Sequence, residues 1–177
     1  IDWQTCDQRN NSMKSIRRIL IVALVVLSSD VVARASDFEV RTMDGKDVPL
    51  SSYFEPGKWT MVMLWTTYCT TCRKQYPIIS EFHDKHKDTD AKVVGISLDG
   101  HALMDKVRDY VVAQPISFET SVVEIAKFSK AYKAITEDNF TGTPTYLMFD
   151  PSGAMVAHAA GPMKIEIAER FIADSPE

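Results

Sequence analysis

Three cysteines among 177 residues are too few for a disulfide-stapled scaffold, and only Cys69 and Cys72 stand close together. A zinc centre is disfavoured on the same ground: it needs four ligands, and neither a second Cys-x-x-Cys nor a His-x-x-x-His pair follows. The four histidines are scattered, and His83, His86 and His158 read as surface or packing residues. Positive charge is also short. Lysine plus arginine number 20 against 24 aspartates and glutamates, a net charge of −4, so the composition offers no nucleic-acid surface. The unbroken apolar run over residues 19–27 is too short to span a bilayer alone. Repeats and low-complexity segments are missing, and the balance of 45% hydrophobic and 25% charged residues fits one ordinary globular core.

What is present at the amino end is a targeting pattern. Lys14, Arg17 and Arg18 precede the apolar run, Asp30 interrupts any extension of it, and Ala33-Arg34-Ala35 supplies a small-x-small site. Residues 13–35 therefore read as a secretory signal cleaved after Ala35, which places the remainder, 36–177, in the periplasm. That remainder is expected to meet a membrane only if the signal is retained as an anchor. Residues 1–12 lie ahead of a Met that already begins a complete signal, and they read as an upstream extension from a different start or from added residues. Cys6 then carries no structural meaning, and Cys69 and Cys72 are the sole thiols of the exported part.

The surroundings of that pair define its chemistry. Residues 59–64 form an apolar run without alternation, as in a strand buried on both faces, and the segment after Cys69 has helical spacing through Tyr76, Ile79 and Phe82. Pro77 falls inside that helix, where it is expected to kink it. A thiolate on Cys69, at the helix start, would be stabilised by unpartnered amide N–H groups and the helix dipole. Cys72 lies one turn further in, on nearly the same face, and is expected to be more buried and to hold its proton longer. Cys69 is thus the candidate nucleophile and Cys72 the resolving thiol of a redox couple.

Around this centre the chain alternates. An amino-terminal hairpin over 38–50 turns at Asp44-Gly45. A second buried strand covers 91–98, helices 102–113 and 122–134, with a short extended piece at 116–118 between them. A hairpin over 145–159 follows Gly142-Thr143-Pro144, and a closing helix spans 164–173. The pattern is an α/β fold with a mixed central sheet and helices on both faces.

Trp65-x-x-x-Cys69-x-x-Cys72-Arg73-Lys74, Pro77, and Gly142-Thr143-Pro144-Thr145 ahead of a hairpin together resemble the thioredoxin fold. The amino-terminal hairpin, the inserted helix and the secretory signal make the chain similar to the exported TlpA/ResA-like thiol–disulfide oxidoreductases, over essentially all of residues 37–177. The resemblance implies a cis peptide bond at Pro144 beside the cysteines, with the backbone of Thr143 pairing with an extended substrate chain, and Trp65 and Tyr68 as further substrate contacts. It implies protein thiols and disulfides as substrates, cytochrome c or copper-site maturation as settings, a membrane thiol reductase as electron donor, and no organic cofactor.

Two departures stand out. The buried acid that thioredoxins carry six residues before the first cysteine is Met63 here, and the glutamate that many ResA-like relatives carry three residues after the second is Gln75. Gln cannot accept a proton, so the base for Cys72 is open. Thr70-Thr71 between the cysteines leaves the redox potential open as well. Two rival readings follow from the same residues: a thiol peroxidase acting through a Cys69 sulfenic acid, and a Cu(I) carrier using both thiolates with a methionine such as Met155 or Met163.

Overall fold

The computed structural model describes residues 4–5 and 38–175. The expected signal over 13–35 lies outside the described residues, and so does Cys6. No helix among the described residues is long and apolar enough to cross a membrane.

Strand β1 (Gln4–Thr5) is followed by the hairpin β2 (Glu39–Thr42) and β3 (Asp47–Pro49), and by a single 3-10 turn, Leu50–Tyr53. The thioredoxin-like core comprises β4 (Trp59–Trp65), α1 (Thr70–His86), β5 (Ala91–Ser97), α2 (Met104–Val112), β6 (Glu119–Val122), α3 (Ile125–Thr136), β7 (Thr145–Phe149), β8 (Met155–Ala160) and α4 (Ile165–Asp174). The sheet order is β1-β8-β7-β4-β5-β6-β2-β3. Parallel pairing joins β4 to β5 and β5 to β6, while β7 and β8 return antiparallel. The segment 1–12, read as standing apart from the domain, contributes the edge strand β1, whose Gln4 and Thr5 face His158 and Ala157 of β8.

Absence of alternation in β4 has a direct cause. Met61, Met63 and Trp65 point to one face, where α1, α2 and α4 supply Cys72, Tyr76, Ile79, Val107 and Ala168. Val62 and Leu64 point to the other, against Phe128 and Tyr132 of α3 together with Phe38 and Leu50. With both faces covered, every residue of the central strand is apolar or small. Gly95 in β5 makes room for this: a Cβ there would meet Thr120 Oγ1 at 2.8 Å and Trp65 Nε1 at 3.1 Å.

Two boundaries differ from the sequence expectation. The extended piece expected at 116–118 is β6, Glu119–Val122, and the helix expected from residue 122 starts at Ile125. Val122 pairs with Ser97 of β5 and Arg41 of β2, and strand pairing on both sides outweighs the helical spacing of the apolar residues that follow.

Two histidines are buried inside this frame, His158 with its Nε2 3.5 Å from Asp138. His83 Nδ1 accepts the Val93 N–H at 3.1 Å, and His158 Nδ1 pairs with the Tyr132 hydroxyl at 3.0 Å. Burial pushes both imidazoles below the usual 6.5. The unfolded chain therefore binds more protons than the folded one as pH falls below 6.5, so their contribution to stability is complete above that pH and is lost on acidification. Urea denaturation is expected to show lower stability at pH 5 than at pH 7. His83→Asn, whose amide oxygen can still accept the Val93 N–H, should flatten that slope. An unchanged slope would remove His83 from the account.

Candidate active site

The cysteine pair sits where β4 ends and α1 begins, at the carboxyl end of the central strand. Trp65 closes the strand, the Cys69 N–H bonds back to the Thr66 carbonyl at 3.1 Å, and the turn delivers Cys69 as the residue that caps α1. Its sulfur accepts the Cys72 N–H at 3.1 Å, one of the amides that helix geometry leaves without a carbonyl partner. The two sulfurs form a disulfide with a Cα–Cα distance of 5.3 Å. Cys72 is fully buried against the α1 side of the sheet, whereas Cys69 is partly exposed.

A second segment at this end of the sheet comes from far along the chain. Leu64 pairs with Thr145 in the antiparallel β4–β7 ladder, so Thr143 and Pro144, which lead into β7, lie at the same end of the sheet as the close of β4. The Thr143–Pro144 peptide bond is cis. Pro144 is buried, its carbonyl accepts the Gly161 N–H at 2.8 Å, and Thr143 is half-buried beside it. Tyr68, immediately before Cys69, is 72% exposed.

Trp65 departs from the expectation of a substrate contact. Its side chain is wholly buried, stacked on Tyr110 at 5.6 Å between ring centroids and met edge-on by Tyr76 at 5.7 Å. A large ring at the end of a strand covered on both faces packs inward, so Trp65 supports the site from beneath. Tyr110 carries this packing to the surface, where its hydroxyl accepts the Arg73 Nε–H at 3.4 Å. Burial, reinforced by Tyr110 and Asp99, pushes the Tyr76 phenol well above its ordinary value.

Gln75 is built into the core. Its Oε1 accepts the Tyr146 hydroxyl at 3.0 Å and the Met163 N–H at 2.7 Å, tying α1 to β7 and to the segment before α4. Burial raises the Tyr146 phenol strongly, so it is a donor at neutral pH. The carboxamide thus serves as a fixed acceptor. Sequence spacing identified the position but not the Tyr146 and Met163 partners.

A carboxylate also reaches the approach to Cys69. Asp99, just beyond β5, accepts the Thr67 N–H at 2.8 Å, the Thr67 hydroxyl at 2.7 Å and the Ser97 hydroxyl at 2.7 Å. By sequence alone, Asp99-Gly100 after a strand is a turn signal and nothing more. Of the two methionines named for a Cu(I) site, Met163 packs on the Cys72 side of the sheet and Met155 on the opposite side. Among the described residues no group of three or more His, Cys, Asp or Glu is placed to hold a metal ion.

A Cys-x-x-Cys disulfide capping the first helix after the central strand, with a cis proline leading into the antiparallel neighbour of that strand, defines a thioredoxin-fold thiol–disulfide oxidoreductase. The AhpC/TSA family profile matches residues 31–158, and the chain belongs to that family. It is similar to sporulation thiol-disulfide oxidoreductase A of Bacillus subtilis (strain 168), with 25% identity over 130 residues, 73% of each chain. Thiol-disulfide oxidoreductase ResA of Bacillus thuringiensis subsp. konkukian is 22% identical over 143 residues, covering 81% of this chain and 77% of that one. Among solved structures, the exposed lipoprotein thioredoxin of Streptococcus pneumoniae strain TIGR4 superposes with a TM-score of 0.62 at 22% identity, over 78% of this chain and 99% of that one, which shows the shared fold.

Proposed function

We propose that this chain acts outside the cytoplasm as a reductant of protein disulfides, with Cys69 as nucleophile and Cys72 as resolving thiol. The observation that carries the reading is the unequal burial of the pair: Cys69 is open to a partner and capped by the Cys72 amide, while Cys72 is wholly enclosed behind it. In the reduced protein the Cys69 thiolate attacks one sulfur of a substrate disulfide, forming a mixed disulfide and releasing the other substrate sulfur as a thiolate that takes up a proton. Cys72 then loses its proton and displaces the second substrate sulfur, closing the Cys69–Cys72 bond. Two electrons pass to the substrate and the enzyme ends oxidised.

An extended substrate segment would lie across Tyr68, the chain neighbour of Cys69, and Thr143, hydrogen-bonded to the Thr143 backbone and seated against Pro144. The signal-like pattern over 13–35 supports an exported setting. Regeneration then requires a membrane thiol reductase, since a periplasm holds no thiol buffer that would supply electrons. Substrates of the class of apocytochrome c or copper-site proteins, with a thiol pair that must be reduced before it is loaded, fit this direction.

Equilibration of the domain with a dithiol buffer, read by thiol alkylation, tests it. A potential near roughly −270 mV supports the reductant, and one near roughly −120 mV makes the protein an oxidant and overturns the direction.

A further inference from the structure

The turn that leads to Cys69 is held from the β5 side. Thr67 stands two residues before Cys69, in the only connection between β4 and the nucleophile, and both its backbone N–H and its hydroxyl bond to one carboxylate, that of Asp99. The carboxylate is itself fixed. The Ser97 hydroxyl donates to it at 2.7 Å, and the Asp99 N–H returns to Ser97 Oγ at 3.2 Å. Beyond it the chain turns at Gly100, with φ of 83°, and Glu124 closes over the turn by accepting the His101 N–H at 2.8 Å. A Cβ at Gly100 would stand 2.8 Å from Glu124 Oε2, so the turn needs glycine both for its φ and for that closure.

We propose that Asp99 is a positioning residue for the Cys69 nucleophile, acting through Thr67. A thiolate benefits from the Cys72 amide and the start of α1 only if its sulfur is held close to them. Cys69 is the capping residue, so its placement depends on the turn 66–69 as much as on the helix. The Thr66–Cys69 bond closes that turn from within, and Asp99 fastens it to the sheet. The carboxylate also brings negative charge toward the site, which by itself disfavours a thiolate. Geometry and charge therefore act in opposite directions on Cys69, and substitutions can separate them.

Asp99→Asn is the conservative variant. Its oxygen can take the Thr67 N–H and Ser97 hydroxyl bonds, and its NH2 can donate to a Thr67 hydroxyl turned around to accept, so the strap survives without the charge. Asp99→Ala removes both. The measurement is the rate of Cys69 alkylation by iodoacetamide in the reduced full chain as a function of pH, read on the Cys69 peptide by mass spectrometry, with near-UV circular dichroism to establish the fold. We expect Asp99→Asn to titrate at or below the wild-type midpoint, and Asp99→Ala about one pH unit above Asp99→Asn, hence about tenfold slower below the midpoint. Thr67→Val, which loses the hydroxyl bond and keeps the amide bond, should move the midpoint upward by less. Superimposed alanine and asparagine curves would overturn the proposal, because they would leave nothing for geometry to explain. If the alanine variant does not fold, Thr67→Val decides alone: an upward shift supports positioning and an unmoved midpoint rejects it.

Discussion

In a thiol-free buffer, the reduced Cys72→Ser variant is expected to capture substrate proteins and not release them. Cys69 remains partly exposed, capped by the amide of residue 72, and free to attack, but the buried position behind it offers a hydroxyl that cannot displace a disulfide sulfur. Mixed disulfides should accumulate on a non-reducing gel, dissolve on addition of dithiothreitol, and place Cys69 at the junction by mass spectrometry. Cys69→Ser should form no adduct and show no turnover, since Cys72 is wholly enclosed. Turnover by Cys69→Ser comparable to wild type would exchange the two roles and defeat the proposed mechanism.

A second large effect is expected at Gln75. Gln75→Leu has a similar volume but leaves the Tyr146 hydroxyl and the Met163 N–H, both buried, without their acceptor. Each orphaned donor costs about 1–3 kcal/mol, so a loss of about 2–6 kcal/mol should appear in urea denaturation. Tyr146→Phe removes one of the two donors. The double variant Gln75→Leu/Tyr146→Phe should therefore lose less than the two single variants together. Strict additivity would mean that the 3.0 Å contact contributes nothing.

These two sites show how far the sequence reaches. The cysteines, the two buried strands and Pro144 are local signals: a spacing, an apolar run, a turn ahead of a hairpin. Each survives being read a few residues at a time. Gln75 could be singled out as lacking a proton acceptor, but the reason a carboxamide belongs there is carried by Tyr146 and Met163, and only the folded chain brings them within 3.0 Å. Trp65 differs from its expected place for a related reason. The resemblance implies a substrate contact there, whereas the rings of Tyr76 and Tyr110 that enclose it come from α1 and α2. The late start of α3 has the same origin, because the pairing of Val122 with β5 and β2 is not written in its neighbours. An Asp-Gly after a strand carries no more local information than a turn, and the hold of Asp99 on Thr67 arises from the parallel alignment of β4 and β5.

The β4–β7 register has a temporal side. Cys69 lies just past β4, yet Thr143 and Pro144 come to the same end of the sheet only when β7 enters alongside β4. A chain delivered amino end first exposes both thiols well before Thr143 and Pro144 arrive. During that interval the pair is an ordinary reactive dithiol with no shaped approach, open to any oxidant nearby. On the proposed mode of substrate binding, selectivity is a late acquisition in the life of each molecule, conferred when its final hairpin docks.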